Sequence, residues 1–464
     1  MKLVYDVEDR PRFSQTLIFA FQQMIAIMAA TILVPMIISS VGLSMDPSAA
    51  LFGAGAGSLF YIFATKKKSP VFLGSSFTFI GAMTAAVTMN YGYWGLIIGC
   101  GFAGLVYVIV AAIVKFTGSG WVNRLLPPVI IGPIVALIGL SLSGTATSWV
   151  QTNNASYSWV SIAIGLITFF LIVLVSIKGK KMMKLIPFII GIAGGYLIAL
   201  VVTLIGKACN VEVMQVLNVD PLVKLFTPFQ FSSVLTLPEF TFLQAIRTNG
   251  QYPIDGVAIA NIALIYAPIG VVELAQHISD HKNLGYIIGR DLIEDPGLHR
   301  TLVGDGVGSV IGGFFGGCAN TTYGESIGCV ALTGNASIVS IFWAGVGCMA
   351  LAFFAPFVAL IETIPFCVMG GACIALYGFI AVSGLNMLHQ VNLGDNRNLY
   401  VVSAILVCGI GGLMFKFGHN EITGGSVFEI TALAAALIVG LITRVIVNLD
   451  KTPQIKDDTF DGKQ

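Results

Sequence analysis

Acidic and polar side chains stand at two places inside stretches that are otherwise long and apolar. Glu273, His277 and Asp280 follow one another at spacings of four and three residues, which places them along one helical stripe, and Gln276 lies one turn before Asp280. Glu325 ends a second polar run, at residues 320–325. An ionisable side chain at membrane depth costs about 2.5 to 3.5 kcal/mol on insertion scales, so each is a candidate for function. Such groups can hold a polar ligand or carry a proton.

Two short polar motifs interrupt the apolar stretches at matching places in the two halves of the chain. The first motif is Gly74-Ser75-Ser76-Phe77, and the second is Asn320-Thr321-Thr322-Tyr323-Gly324-Glu325. Lipid offers no hydrogen-bonding partners, so irregular backbone at membrane depth persists only where protein or a polar cavity surrounds it. Paired interruptions of this kind point to the binding site of a transporter.

Two residues of these motifs have alternative roles. The exposed amides at the start of a short helix would favour an anion or a polar ligand beside Glu325. The same carboxylate could instead cap its own helix. Phe77 could stack on a flat ring, or it could serve packing alone.

The histidines and cysteines offer little further chemistry. His277 and His281 have the i, i+4 spacing of metal ligands, but the glutamate of His-Glu-x-x-His and a third ligand are missing, so we expect no metal and no cofactor. The sequence favours a solvated helix end for His281 and Lys282. The eight cysteines are scattered without a Cys-x-x-Cys pair and are interpreted as buried small hydrophobes. Since no nucleophile and base pair is evident either, we do not expect an enzyme.

The composition indicates that the elements that position these residues are membrane helices. The chain has 464 residues, of which 56% are hydrophobic and 10% charged, with a mean hydropathy of +0.89. A soluble domain carries roughly 25% charged residues. The net charge of +1 argues against a nucleic-acid partner. The first thirteen residues mix acidic and basic side chains, so we expect no removed signal peptide.

The apolar stretches predict an all-α polytopic membrane protein with fourteen transmembrane segments. A helix that spans the membrane needs roughly 20 predominantly apolar residues, and stretches of about this length recur along the chain. The third and tenth segments begin with the two motifs, so we expect extended pieces that run into half-helices. The predicted segments are 15–39, 46–64, 72–84, 92–114, 127–144, 157–177, 185–206, 255–279, 302–316, 321–334, 339–360, 364–384, 398–415 and 427–448.

The distribution of basic residues predicts an orientation with both termini in the cytoplasm. In this orientation only Lys207, Lys224, Arg247 and Lys416, of the 24 basic residues, fall outside. Seven segments, an external connection and seven more segments mean that the second half enters from the opposite side. The two motifs lie roughly 250 residues apart, as do the first and eighth segments, which indicates two inverted seven-span repeats.

The glycine-rich patterns are interpreted as close helix packing. They are Gly53-Ala54-Gly55-Ala56-Gly57 and the spacing Gly308, Gly312, Gly316. Neither pattern is expected in a strand-to-helix turn, and no Gly-Lys-Ser/Thr follows, so neither predicts a nucleotide-binding loop.

Four clusters of residues together have the character of a family signature. They are Phe72-Leu73-Gly74-Ser75-Ser76-Phe77, Asp295-Pro296-Gly297-Leu298-His299-Arg300, Gly313-Phe314-Phe315-Gly316 and Asn320-Thr321-Thr322-Tyr323-Gly324-Glu325. On these motifs the chain resembles the nucleobase/ascorbate transporters, and among them the bacterial uracil permeases. The resemblance runs from Gln22 to the last segment.

The resemblance implies a core domain that moves against a gate domain, commonly in a homodimer. Its boundaries here would be 1–115 and 255–361 for the core, 116–206 and 362–450 for the gate, 207–254 for the external connection and 451–464 for a cytoplasmic tail. The implied substrate contacts are Ser76, Phe77, Gln276, Tyr323, Gly324, Glu325 and Tyr377. The implied coupling position is Asp280.

The chain departs from the uracil permeases at two positions. They carry glutamate where this chain has Gln276, and asparagine commonly stands at Ser326. A glutamine amide can still accept a hydrogen bond from N3–H of uracil while donating to a neighbouring carbonyl. It does not titrate near neutral pH, so a coupled proton must be carried by Glu325, Asp280 or Glu273.

The sequence therefore predicts a bacterial inner-membrane symporter that imports a nucleobase with protons by alternating access, with uracil as the expected cargo. Xanthine or another purine is the first alternative, because Gln276 and Ser326 are expected to set ring preference. A channel or anion exchanger on the same architecture is the second, and it predicts a basic residue at the broken helices.

Overall fold

The computed structural model describes residues 3–118, 120–121, 127–153, 156–180, 183–418 and 428–449, and this part of the chain is mostly helical. The strands are short: β1 (Leu73–Ser75), β2 (Thr152–Asn153), β3 (Ser156–Tyr157), β4 (Asn320–Thr322), β5 (Phe415–Phe417) and β6 (Phe428–Ile430). The helices are α1 (Phe13–Ser40), α2 (Pro47–Ala64), α3 (Ile80–Thr88), α4 (Gly92–Thr117), α5 (Pro128–Ser141), α6 (Ser143–Gln151), α7 (Trp159–Lys178), α8 (Pro187–Ala208), α9 (Asp220–Phe226), α10 (Thr241–Arg247), α11 (Gly256–Ile288), α12 (Leu298–Gly316), α13 (Gly324–Thr333), α14 (Ile338–Ala352), α15 (Ala355–Glu362), α16 (Phe366–Met387), α17 (Asn396–Ile410) and α18 (Ala432–Val447).

Eight helical stretches in the described residues are long and apolar enough to cross a membrane. Shorter apolar helices occupy 77–88, 338–352, 396–410 and 432–447. Each of the fourteen segments expected from the sequence contains a helix. The eight stretches are Phe13–Ser40, Pro47–Ala64, Gly92–Thr117, Pro128–Gln151, Trp159–Lys178, Pro187–Ala208, Gly256–Ile288 and Phe366–Met387.

The end of the eighth segment differs from the sequence-based prediction. That segment was expected to stop at residue 279, with His281 in solvent, but α11 continues to Ile288 and ends at Gly289, whose φ is 70°. His281 is only 1% exposed. The prediction was wrong because the protein itself supplies hydrogen-bonding partners for the imidazole.

The chain divides into two compact units. The first unit contains Met1–Ser119 and Gly144–Ala375, and the second contains Gly120–Ser143 and Leu376–Gln464. In the second unit α5 packs against α17 and α18. All the carboxylates and both polar motifs discussed below lie in the first unit.

Two glycine-rich helix faces form the centre of the first unit. Helix α12 packs closely against α2, and a Cβ on Gly53 would lie 3.2 Å from the backbone of Gly312. A Cβ on Gly57 would lie 3.0 Å from the carbonyl oxygen of Gly308. The prediction that these glycines serve close helix packing is confirmed. This contact fixes the helix that precedes the second motif against the helix that precedes the first.

Candidate functional site

The two polar motifs form one two-stranded antiparallel sheet. Beyond the strands, the amide of Ser76 donates to the carbonyl oxygen of Ala319 at 2.8 Å, and that of Tyr323 donates to Phe72 at 3.2 Å. The backbone at both interruptions is thus paired within the protein, as buried irregular backbone requires. The register of β1 with β4 is Leu73 with Thr322, Gly74 with Thr321 and Ser75 with Asn320.

A short helix begins directly after each strand. Ser76 caps the single turn Phe77–Phe79 by accepting a hydrogen bond from the amide of Thr78 at 3.3 Å, and this turn continues into α3. Ser76 and Phe77 are both buried. The turn that leads into α3 therefore starts at the sheet, inside the protein.

Helix α13 starts in the same way after β4. Tyr323 is its N-cap residue and makes no side-chain cap, and Glu325 lies in the first turn. Gly324 is exposed and Glu325 is half-buried. The carboxylate thus stands at a helix N-terminus that can orient a polar ligand.

The Tyr323 side chain ties the two motifs together. It is 4% exposed, and its hydroxyl donates to the carbonyl oxygen of Ser75 at 2.6 Å. A Cβ on Gly74 would clash with the Tyr323 ring and approach Thr31 Oγ1 to 2.9 Å. The tyrosine therefore fits only against a glycine in the opposite strand.

Helix α11 presents its polar stripe to the same sheet, because it packs against β4 and the turn Phe77–Phe79. Glu273 is 1% exposed, and within the described part of the chain neither of its oxygens has a hydrogen-bond partner of good geometry. The hydroxyls of Ser76, Thr78 and Thr321 lie near this carboxyl group. Both motifs thus contribute polar groups around one buried carboxyl group.

The next residues of the stripe lie closer to the protein surface. Gln276 and Asp280 are half-buried. Asp280 accepts a hydrogen bond from Thr322 Oγ1 at 2.8 Å, so β4 and α11 are linked by a side chain as well as by packing.

A buried group that the sequence reasoning missed adjoins this stripe. Asp305 of α12 is fully buried, and its Oδ2 lies 2.6 Å from Nδ1 of His277. The other ring nitrogen of His277 lies 3.0 Å from Thr301 Oγ1. The signal was present, because Asp305 is an ionisable residue inside a predicted span.

Ser326 lies beneath the sheet. It is fully buried, and its hydroxyl accepts a hydrogen bond from the amide of Phe72 at 2.9 Å. Its carbonyl oxygen accepts from Nε2 of Gln23 at 3.3 Å. The side chain thus holds the backbone that leads into the first motif.

Tyr377, the remaining predicted contact, is 2% exposed in α16 and belongs to the second unit. Its role stays a prediction. No cluster of three or more His, Cys, Asp or Glu side chains suited to a metal ion occurs in the described ranges.

Three comparisons relate the chain to known proteins. The family model Xan_ur_permease, described as "Permease family", matches residues 14–417. The uracil permease of Bacillus caldolyticus is 36% identical over 466 residues, covering 100% of this chain and 98% of the relative. That of Bacillus subtilis (strain 168) is 33% identical over 470 residues, with the same coverage of 100% and 98%.

The fold has a solved counterpart. The transmembrane domain of a cyanobacterium bicarbonate transporter, BicA, superimposes with a TM-score of 0.58 and covers 94% of this chain and 99% of its own. The sequences are only 14% identical, so this likeness concerns the fold alone.

Proposed function

The chain belongs to this permease family, and from that premise we propose that it is a nucleobase transporter that imports uracil together with protons. The protein is a transporter and not an enzyme. The relatives named uracil permease, matched over their full length, support uracil as the cargo. The observation that carries the proposal is the pairing of the two motifs, which brings Ser76 and Phe77 to the same sheet as Tyr323, Gly324 and Glu325.

Recognition of the base follows from the hydrogen-bonding groups at this sheet. Uracil presents O2, N3–H and O4 along one edge, an acceptor, a donor and an acceptor. Gln276 can accept from N3–H and donate to a neighbouring carbonyl, and Glu325 can accept from an N–H group at the other end of the ring. Phe77 supplies a flat apolar surface for the ring, and Tyr377 is proposed to contact the base from α16.

Proton coupling is assigned to Glu273, Asp280 and Glu325. Gln276 cannot titrate, so the charge that it lacks must be carried elsewhere. Glu273 lies one turn away on the same helix face. Coupling is productive when the base and the proton together change the relative stability of the outward-open and inward-open states.

We propose that these states interconvert by alternating access of a core domain, 1–115 and 255–361, against a gate domain, 116–206 and 362–450. The architecture is two inverted repeats of seven spans, in which α3 and α13 are half-helices. The protein is proposed to reside as a homodimer in a bacterial inner membrane, with both termini in the cytoplasm. An anion exchanger is less well supported, because residues 72–88 and 319–333 contain no basic side chain.

Uptake of [14C]uracil into cells tests this function. Glu325→Gln removes the charge at the α13 N-terminus and is expected to reduce uptake by about 100-fold, the size of a lost charged hydrogen bond of roughly 3 kcal/mol. Glu294→Gln, the same substitution at an exposed position, is the control. Full uptake by Glu325→Gln would remove this residue from the site.

The cargo is tested by competition. Unlabelled uracil is expected to suppress uptake, whereas xanthine and other purines are not. Stronger suppression by xanthine than by uracil would show that the cargo is a purine. Replacing the proton gradient with a sodium gradient in membrane vesicles tests the coupling ion.

A further inference from the structure

The start of the chain is attached to the end of α13. Residues 4–9 run parallel to residues 334–338, which directly follow this helix. Four backbone hydrogen bonds of 2.8 to 3.2 Å join the two segments, and Ser337 Oγ donates to the carbonyl oxygen of Asp9 at 2.7 Å. The helix that carries Glu325 is therefore held at its far end by the N-terminal segment. The four backbone donors are the amides of Val4, Tyr5, Ala336 and Ile338.

The side chains of this segment alternate between the interior and the surface, as in a β-strand. Val7 is fully buried, whereas Asp6 is partly exposed and Glu8 is exposed. Val7 belongs to an apolar cluster that contains residues of both α13 and α11. The single buried side chain of this short strand thus packs where the two helices meet. Those residues are Ile327 and Val330 of α13 and Leu284 and Ile288 of α11.

Arg290, two residues beyond α11, binds the acidic side chains on either side of Val7. Its guanidinium nitrogens lie 2.8 Å from Asp6 Oδ2 and 3.3 Å from Glu8 Oε1. The other oxygen of Asp6 accepts a hydrogen bond from the amide of Val7 at 2.7 Å. The segment is therefore attached to α13 by its backbone and to the end of α11 by its charges. Residues 4–9 are called the N-terminal brace below.

Helix α13 needs this second attachment because it is short. It has only ten residues, and a helix of that length is marginally stable on its own. Its first residue follows β4, so the sheet holds one end and the brace holds the other. Helix α11, which carries Gln276, is linked to the same sheet through Asp280 and Thr322. The orientation of α13 relative to α11 is thus fixed at the sheet and again at the brace.

We propose that the N-terminal brace, held by Arg290, positions Glu325 of α13 relative to Gln276 of α11 for binding of the base. Arg290 and Val7 are positioning residues that do not contact the substrate. When the brace opens, α13 is held at the sheet alone, and the apparent Kd for uracil rises as the fraction of molecules with a closed brace falls. This inference rests on the proposed binding of uracil beside this sheet.

Charge reversal at Arg290 tests the brace. Arg290→Asp replaces two attractive ion pairs by two repulsive ones and is expected to raise the Kd for uracil by about tenfold or more, which corresponds to a closed fraction of about a tenth or less. Asp6→Arg in the same chain restores an ion pair with the charges exchanged and is expected to recover most of the affinity. Equilibrium binding of [14C]uracil to purified protein, expressed per mole of folded protein, measures both effects.

Opening of the brace is measured separately from uracil binding. A Val7→Cys reporter in a Cys209→Ser background places a thiol at a fully buried position. This thiol is expected to resist a maleimide when Arg290 is present and to react in Arg290→Asp, with the N-terminal peptide identified by mass spectrometry. A role of Arg290 in overall stability alone would lower the melting temperature but leave the Kd of the folded protein unchanged.

Arg10→Asp is the matched control. Arg10 is an exposed residue directly after the brace and makes no ion pair within the described part of the chain. The same change of charge there is expected to leave both labelling and uracil affinity at the values of the unmodified protein. An unreactive reporter in Arg290→Asp, a reactive reporter with an unchanged Kd, or a raised Kd that Asp6→Arg does not lower would each overturn the proposal. Absence of uracil binding to the wild-type protein would instead overturn the proposed function.

Discussion

At the scale of single residues, Glu273 has the most unusual surroundings in the site. Burying a carboxylate without a partner costs more free energy than burying a protonated carboxyl group or a carboxylate that receives a ligand's N–H. The neighbouring hydroxyls of Ser76, Thr78 and Thr321 come from both motifs. A change in the charge of Glu273 therefore acts on residues of both motifs.

Glu273→Gln is expected to fold normally and to transport poorly. The amide has nearly the same shape and removes the cost of burying a charge, so the melting temperature should stay the same or rise. Uptake driven by a proton gradient should fall by about tenfold or more, because a proton-transfer group is lost. Thermal unfolding in detergent and [14C]uracil uptake measure the two effects. Wild-type uptake in this variant would leave Asp280 and Glu325 as the carriers.

Ser326→Ala is expected to affect stability and not cargo. Its hydroxyl is the acceptor for the buried amide of Phe72, and leaving that amide unpaired costs about 1 to 3 kcal/mol. The sequence suggested that Ser326 sets ring preference, but the side chain is fully buried and its hydroxyl oxygen accepts a hydrogen bond from the backbone. A competition series of uracil against xanthine checks this, and a changed order of preference would place Ser326 in contact with the base.

Some of the site could be predicted from the sequence and some could not, for physical reasons. Glu273 and Asp280 were predicted because they are ionisable residues within a span. His281 was misjudged because its partners, Tyr61 and Ser69, are distant in sequence and become neighbours only when α2 packs near α11. The pattern of residue types along one helix cannot reveal a hydrogen bond to another helix.

At the scale of elements, apolar length predicted the helices well and their ends less well. The segment 15–39 corresponds to α1 and 46–64 to α2, since long apolar runs leave little choice in lipid. Pairing of β1 with β4 was not predicted, although the extended backbone of both was. Strand register depends on contacts between residues roughly 250 positions apart, which the pattern of a single segment does not show.

The β1 and β4 pair depends on a close approach at Gly74, and Gly74→Ala should break it. The added methyl group would clash with the Tyr323 ring, which must leave Ser75. Uptake and uracil-induced thermal stabilisation are both expected to be lost. The control is Gly81→Ala, because a Cβ at Gly81 in α3 meets nothing within 4 Å. Retained uracil binding in Gly74→Ala would show that the site does not need this contact.

At the scale of the whole chain, the sheet has the symmetry that an inverted repeat requires. Equivalent strands related by a two-fold axis in the membrane plane must pair antiparallel, and β1 and β4 do so. The bonds from Ser76 to Ala319 and from Tyr323 to Phe72 are also equivalent under this exchange. Phe77 and Gly324, the first helical residues after each strand, are roughly 250 positions apart, the offset expected for a duplicated unit.

The proposed inverted arrangement makes a prediction about orientation that one native cysteine can test. The positive-inside distribution predicts that the connection 207–254 lies outside the cell. Cys209 lies in this connection and is the exposed cysteine, whereas Cys408 is half-buried and the other six are buried. A membrane-impermeant maleimide should therefore label intact cells at Cys209, and Cys209→Ser should abolish the labelling. Labelling of Cys209 only after the membrane is made permeable would reverse the orientation.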